Sequence, residues 1–394
     1  MSTSFATIPD DGSPLRVVVV GAGGMGRAWL RTVEESPLVE LAGIVDLDLK
    51  AAVEAAASLG RPDLAVGDRT ARLASDVGAQ AVINVTVPAA HHPVTTEALA
   101  AGLPVLGEKP VASTVAQGLS LAAAAELHGQ LFMVSQSRRY NRHLFSAKRL
   151  SSSLGSVGIV SAEFFKAPHF GGFRDAMDHP LLLDMAIHQF DMARFLLDAD
   201  PVSVFCEEYN PSWSWYRGDA GSTAIFEMTG GERFVFTGSW CSPGQETSWN
   251  ASWRISGEHG TVLWDGDNEP VSSVPVSGGG VASGDPAGSG DPAGSEELDS
   301  EDPGQEIAGS LREFVSAVRT GSTPMGQVHQ NIMSLAMVEA AILSASNGTR
   351  VSVDSLLEDS YQEAVLAERD PAVLEILKSW TSVRSALAGE SVAL

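Results

Sequence analysis

Two sets of residues in this chain have the types and spacing to do chemistry. The first is Gly107-Glu108-Lys109-Pro110, a lysine that follows the apolar run Leu103-Pro-Val-Leu106. An ammonium on a four-carbon stem donates to an alcohol oxygen, and partial burial lowers its pKa enough for it to share in proton transfer. Taken alone, the tripeptide Glu-Lys-Pro reads as a solvated charge pair before a helix. The second set is Asp184, His188 and Asp191, at spacings of four and three on a segment that follows Asp178-His179-Pro180. On a helix these three share one face. A carboxylate one turn away holds an imidazole in one tautomer and stabilises its protonated form, as a general base for an alcohol proton requires. A surface ion pair or a hydrogen bond within the helix is the plain alternative.

Such side chains act only if a scaffold holds a reaction partner beside them. Arg16-Val-Val-Val-Val20 reads as a buried strand running into Gly21-Ala-Gly23-Gly24-Met25-Gly26 and then Arg27-Ala-Trp-Leu-Arg31. Strand, glycine turn and helix start come in series. Gly21 permits the tight turn, Gly23 lets the backbone approach a pyrophosphate, and Gly26 lets the helix pack closely on the strand, with Gly24 and Met25 in the same turn. The next strand, Leu41-Ala-Gly-Ile-Val45, ends in Asp46, twenty residues beyond Gly26. A carboxylate there accepts hydrogen bonds from ribose hydroxyls and repels a 2′-phosphate, which favours NAD over NADP. A third strand, Ala81 to Val87, carries Thr86 and ends at Pro88, where His91 and His92 open a helix. The carboxyl end of such a strand is where a doubly wound sheet binds its ligand.

Composition excludes several classes. With 25 basic against 49 acidic residues and a net charge of -24, the chain repels phosphate backbones and anionic membrane surfaces. No nucleic-acid or membrane partner is expected. The two cysteines, Cys206 and Cys241, make no disulfide framework and no Cys-x-x-Cys metal pattern. No metal is expected, and a reducing compartment fits. The first residues lack the basic start and apolar run of a secretory signal, and no apolar stretch reaches the about 18 residues of a membrane span, so the expected location is cytoplasmic.

The chain of 394 residues reads as two domains with additions. Residues 1–14 are expected as a flexible arm and 15–136 as a dinucleotide-binding domain that closes with an alanine-rich helix, Ser113 to Gly129, and the strand Gln130 to Ser135. Residues 137–353 are expected as a second domain. In it a helix from Asn141 to Ser152, the strand Val157 to Phe165 and a long helix from Pro180 to Leu197 precede strands at 202–207, 222–228, 233–240, 250–256 and 261–264. Strands separated by short turns predict a mostly antiparallel sheet. Within this domain, 275–305 contains Ser283-Gly-Asp-Pro-Ala-Gly288 repeated as 289–294 and an acidic run, a composition expected to stay disordered. Residues 354–394 are expected as a helical extension, with Asp370 capping a helix that starts at Pro371 and a stripe of Val373, Ile376, Leu377, Trp380, Val383 and Leu387 packing on the parent domain.

Gly-x-Gly-x-x-Gly with Asp46, then Gly-Glu-Lys-Pro, then Leu182-Leu-Asp184-Met-Ala-Ile-His188-Gln-Phe-Asp191 occur in that order. In this the chain resembles the Gfo/Idh/MocA family of glucose–fructose oxidoreductases, inositol dehydrogenases and rhizopine catabolism proteins. The resemblance runs over about residues 14 to 353 and includes Leu311 to Arg319 and Ser344-Ala-Ser-Asn-Gly348. It implies a Rossmann domain followed by an α+β domain with an open, mostly antiparallel sheet that faces the nicotinamide and often supports dimers or tetramers. It assigns Lys109 to the substrate hydroxyl and nicotinamide ribose, Asp184 to substrate orientation and His188 to acid/base catalysis, with Glu108 and Pro110 shaping the lysine turn. The implied cofactor is NAD. Cofactor contacts are expected from Gly21, Gly23, Gly24, Met25, Gly26, Asp46, Thr86, Pro88, His92, Glu108 and Lys109.

The expected activity is oxidation of a secondary hydroxyl in a sugar, glycoside or inositol. Two alternatives stand beside it: a glycoside-cleaving enzyme that keeps NAD bound and works through a transient keto-sugar, and a non-catalytic cofactor sensor. Retention of Lys109 and His188 counts against the sensor. For substrate contacts, the glycine-rich segment Phe164 to Pro180 carries Arg174, which can bind a hydroxyl or carboxylate. Six of the eight tryptophans lie between Trp213 and Trp264, and Trp213 and Trp215 in a loop-like run are candidate walls of a cyclic polyol pocket.

Overall fold

A computed structural model describes residues 5–276, 280–283 and 303–389. Two compact units emerge, one from Met1–Ser137, Gln305–Leu335 and Leu357–Leu394, the other from Arg138–Gly304 and Ala336–Leu356.

The first unit is built on six strands, β1 (Leu15–Val20), β2 (Val39–Val45), β3 (Ala65–Gly67), β4 (Ala81–Asn84), β5 (Val105–Glu108) and β6 (Phe132–Ser135). They pair in the order β3-β2-β1-β4-β5-β6, all parallel. This is the doubly wound order, with its switch point between β1 and β4. Helices α1 (Gly24–Glu35), α2 (Leu49–Ser58), α3 (Thr70–Val77), α4 (Pro88–Ala100) and α5 (Val115–His128) make the crossovers. Because helices cover both faces, the central strands read as continuous apolar runs, and Val17, Val18 and Val19 are fully buried. The alanine-rich α5 is bounded by Thr114, whose hydroxyl accepts from the Gln117 amide, and by Gly129 in the left-handed region.

Three expectations about the edges of this unit need correction. Residues 5–14 are not a loose arm: the Ala6 amide donates to Gly129 O and the Ile8 amide to Val318 O, both at 2.8 Å. Arg319 also donates to the Pro9 and Ser13 carbonyls. Residues 305–335 group with the first unit rather than the second. Their attachment has a plain cause: β6 is an edge strand, and its Val134 amide is satisfied by Gly326 O at 2.7 Å. A Cβ on Gly326 would come within 2.2 Å of Val134 O, so only glycine allows that approach. Helix α8 (Glu306–Thr320) precedes this contact, and α9 (Val328–Asn347) follows it.

Residues 357–394 also belong to the first unit. Helices α10 (Val353–Ala367), α11 (Pro371–Ser379) and α12 (Val383–Leu387) complete the chain, and α11 packs on α5. Asp370 caps α11 through the Ala372 amide at 2.8 Å. Val373, Leu377, Val383 and Leu387 are buried. Polar ties secure the packing: Ser120 Oγ donates to Glu368 at 2.5 Å, and Trp380 Nε1 donates to Glu126 at 3.2 Å.

The second unit holds a nine-stranded sheet. Its strands are β7 (Val157–Phe165), β8 (Pro201–Tyr209), β9 (Gly221–Met228), β10 (Arg233–Ser239), β11 (Ser252–Gly257), β12 (Gly260–Trp264), β13 (Val271–Val276), β14 (Gly280–Ser283) and β15 (Val351–Ser352). The order is β14-β13-β12-β11-β7-β10-β9-β8-β15, antiparallel throughout except for the parallel pair β7 and β10. Helices α6 (Arg142–Ser151) and α7 (Ile187–Leu197) accompany it. Phe190 of α7 meets Phe226, Phe234 and Phe236 edge-on, with centroids 4.8, 6.0 and 5.4 Å away, and forms the centre of this core. Alternate strand residues such as Ile159, Ile225 and Leu263 remain exposed. The start of the expected disordered insertion, 275–276 and 280–283, is paired strand backbone, and its remainder lies largely outside the described residues. Among the described residues no helix is long and apolar enough to cross a membrane.

Candidate active site

In the first unit the expected cofactor residues gather at the carboxyl edge of the parallel sheet, because parallel strands deliver all their carboxyl ends to one side. Gly21 follows β1 with φ +105°, and a Cβ on it would meet Val85 O at 2.6 Å. At Gly26 a Cβ would lie 2.0 Å from Gly21 O, so this glycine is needed for helix and turn to approach. Gly23 and Gly24 differ: a Cβ on either meets nothing within 4 Å, and no side chain caps the α1 N-terminus at Gly23. Open space over a glycine turn, facing helix amides, fits a dinucleotide pyrophosphate. Met25 is exposed beside it.

Asp46 stands directly after β2. Its Oδ2 accepts from the Ala22 amide at 2.7 Å and its Oδ1 from the Asp48 amide at 2.9 Å, so the carboxylate braces the glycine turn itself. Beyond β4, Asn84 Oδ1 accepts from the Thr86 amide at 3.2 Å and the Thr86 hydroxyl at 2.7 Å, and Pro88 opens α4. Lys109 is the first residue after β5, half-buried, and the Lys109–Pro110 peptide is cis.

Two of these expectations change. Glu108 is buried: its Oε1 accepts from Trp29 Nε1 at 2.7 Å and its Oε2 from the Lys109 amide at 3.1 Å, so it braces the turn from within. It fixes the main chain of the lysine turn to α1. His92 turns away from the sheet edge, with Nε2 3.1 Å from Ser120 Oγ. The adjacent His91 takes the inward position, with Nδ1 2.6 Å from Pro110 O and Nε2 3.0 Å from Thr86 O. A sequence signal for this existed, since His91, Thr95, Ala98 and Leu99 form the buried stripe of α4 at helical spacing. Burial, first, and the Lys109 charge hold the His91 pKa below its ordinary value against the pull of the two carbonyls. Burial likewise lowers His92.

In the second unit Asp184 and His188 are both buried, but they do not lie on one regular helix. Leu181–Ala186 is a π-helical turn, and α7 starts only at Ile187. The wider turn breaks the simple four-residue stacking expected between them. Asp184 Oδ2 accepts from Arg174 Nε at 2.6 Å, and the guanidinium lies 4.8 Å from the Phe173 ring centroid and 5.4 Å from that of Phe170. Asp191, expected as the second carboxylate flanking His188, accepts two hydrogen bonds from Arg139. Each of the two carboxylates expected around the imidazole thus has an arginine partner.

The aromatic candidates also separate. Trp213 is 64% exposed, and its Nε1 donates to Cys241 O at 2.9 Å. Trp215 stacks on His169 at 3.7 Å between centroids. Next to it, Tyr216 is buried against Trp240, and burial foremost pushes its phenol up to about 12. Near the start of the π turn, His179 Nδ1 is 2.9 Å from Glu208 Oε2, a hydrogen bond that raises the imidazole pKa.

A family model described as an oxidoreductase family with an NAD-binding Rossmann fold matches residues 15–136, and a GFO/IDH/MocA C-terminal domain model matches 151–263. An uncharacterized protein of Sinorhizobium fredii, y4oX, is 27% identical across 88% of this chain and 98% of its own length. An inositol 2-dehydrogenase of Rhodococcus erythropolis is 26% identical across 90% of this chain and 99% of its own. Among solved structures, an oxidoreductase from Agrobacterium radiobacter in complex with NAD+, L-tartaric acid and magnesium superimposes with a TM-score of 0.75 at 19% identity, covering 87% of this chain and 99% of that one.

Proposed function

The chain belongs to the Gfo/Idh/MocA family and is an NAD-binding oxidoreductase, and we propose that it oxidises a secondary hydroxyl of a cyclic polyol, namely a sugar, a glycoside or an inositol. The observation that carries this reading is Lys109, which emerges from β5 at the same sheet edge as the glycine turn, its main chain fixed through Glu108 to Trp29. The inositol 2-dehydrogenase relative supports the substrate class.

Gly21 to Gly26, Asp46 and the Thr86 loop would hold the cofactor, which when bound would supply the acceptor for a hydride from the alcohol carbon. Lys109 donates to the alcohol oxygen and stabilises the alkoxide as it develops. His188 takes the hydroxyl proton, with Lys109 the alternative acceptor, and Asp184 orients the substrate together with Arg174. Trp213 and Trp215 contribute apolar faces to the sugar ring. The exposed alternate residues Ile159, Ile225 and Leu263 of the nine-stranded sheet support a homodimer or homotetramer as part of the proposal. A reducing, cytoplasmic setting fits the two free thiols Cys206 and Cys241.

The test is a screen of monosaccharides, glycosides and inositols with NAD and NADP in parallel. Net NADH formation with a cyclic polyol is expected. Cleavage of a glycoside without net reduction would replace this reading by the transient-oxidation alternative, and faster turnover with NADP would overturn the role of Asp46.

A further inference from the structure

His91 lies in the first turn of α4 and is almost fully enclosed. Each of its ring nitrogens faces a main-chain carbonyl, and the two carbonyls belong to different loops at the sheet edge: Pro110, next to Lys109, and Thr86, beyond β4. The second loop is itself cross-tied, since Asn84 Nδ2 donates to His91 O at 3.2 Å and to Thr95 Oγ1 at 3.0 Å while Asn84 Oδ1 receives Thr86. His91 therefore joins the braced loop, through its main-chain oxygen, to the lysine turn, through its ring.

We propose that His91 is a positioning residue that holds the Lys109–Pro110 turn against the Thr86 loop and so sets where the lysine ammonium stands. This rests on the reading of Lys109 as the group that meets the substrate hydroxyl. A neutral imidazole carries one N–H and can donate to only one of the two carbonyls. Burial and the Lys109 charge keep the ring neutral. The shorter contact, 2.6 Å to Pro110, takes the proton, so Nδ1 is the donor and the lysine turn is the partner it restrains. Glu108 fixes the turn on the amide side of Lys109 and His91 fixes it on the carbonyl side of Pro110. The two residues bracket the lysine. A lysine displaced by about 1 Å loses about a hundredfold in rate without any loss of its own charge.

The experiment uses full-length His91→Leu and His91→Asn. Asparagine keeps a donor near the Nδ1 position, and leucine keeps only apolar bulk. In the protein without cofactor, amide hydrogen exchange over residues 107–113 is expected to accelerate in H91L and to return toward wild type in H91N. With NAD and the substrate found in the screen, H91L is expected to lose about ten- to a hundredfold in kcat per NAD-binding site, with KM for NAD changed by less than about threefold. H91N is expected to recover kcat to within about threefold. Unchanged exchange in H91L, or H91N as impaired as H91L at equal Tm, would overturn the proposal. Faster exchange with undiminished kcat would overturn the positioning role if Lys109→Ala loses activity, and would overturn the reading of Lys109 itself if Lys109→Ala does not.

Discussion

The Arg139 guanidinium grips the Asp191 carboxylate through Nε to Oδ2 at 2.6 Å and Nη2 to Oδ1 at 2.9 Å. Side-chain exposures of 11% and 1% place this forked pair inside the second unit, where water screens it little. It fastens the chain just beyond Ser137 to the helix that carries His188. Asp191 is therefore a structural anchor of that helix.

Removing one partner leaves the other charge buried alone, which costs about 3–5 kcal/mol. Asp191→Ala is expected to lose that much in urea unfolding of the second unit, and Arg139→Met with Asp191→Leu together is expected to regain part of it. A loss below about 1 kcal/mol in the single variant would mean that water reaches the pair.

The glycine turn predicts two opposite outcomes. Gly26→Ala drives a Cβ to 2.0 Å from Gly21 O and is expected to destabilise by about 1–3 kcal/mol, read as a lowered Tm without cofactor. Gly23→Ala meets nothing within 4 Å, and its φ of -69° suits any residue, so its Tm is expected within about 2 °C of wild type. Its Kd for NAD is nonetheless expected to rise at least about tenfold. Unaltered NAD binding in Gly23→Ala would show that the pyrophosphate does not pass over this residue.

Lys109→Ala and His188→Asn are each expected to reduce kcat by about 10²- to 10⁴-fold. Binding of NAD, followed by tryptophan fluorescence, should change by less than about threefold in His188→Asn, a split expected of a group that acts on the substrate. Of the two, the variant in which the rising limb of the kcat pH profile disappears identifies the proton acceptor.

Burial lowers the pKa of both His91 and His92 in the folded chain. The unfolded chain takes up a proton at each as pH falls through about 6.5, while the folded chain resists until its lower pKa is reached. Their contribution is thus fully present above about 6.5 and is lost as pH falls through that window. His179 runs the other way: its pKa is raised by Glu208, so its contribution is present at low pH and lost as pH rises through the folded value. Urea unfolding from pH 8 to 5 should therefore show a shallower acid loss in His92→Gln than in wild type. An identical slope would mean that His92 is solvated enough to titrate normally.

Several parts of this protein were legible from local pattern because their physical requirements are local. A strand that ends in a tight turn and feeds a close-packed helix demands Gly21 and Gly26, and a carboxylate one strand later can only stand at the same sheet edge. Lys109 could be placed for the same reason, as the first residue after β5. Strand-like segments separated by short turns from 202 to 264 predicted the second sheet. By contrast, the reading of Asp184, His188 and Asp191 as one face assumed a regular helix and nearby partners. The π turn over Leu181–Ala186 breaks the regular helix between Asp184 and His188, and Arg139, fifty-two residues from Asp191 in sequence, is a partner that no local pattern shows.

Sequence by itself determined the residues that no other side chain could replace: glycines where a Cβ would strike backbone, an acid after β2, a lysine after β5. Only the tertiary structure decided how the ambiguous ones divided. Of two adjacent histidines, His91 entered the sheet edge and His92 turned to Ser120, because the phase of α4 against the sheet admits one ring. Glu108 went to Trp29 and residues 305–335 went to the β6 edge for the same kind of reason. A buried donor or unpaired strand amide must find an acceptor, and which acceptor is nearest depends on segments far apart in the chain.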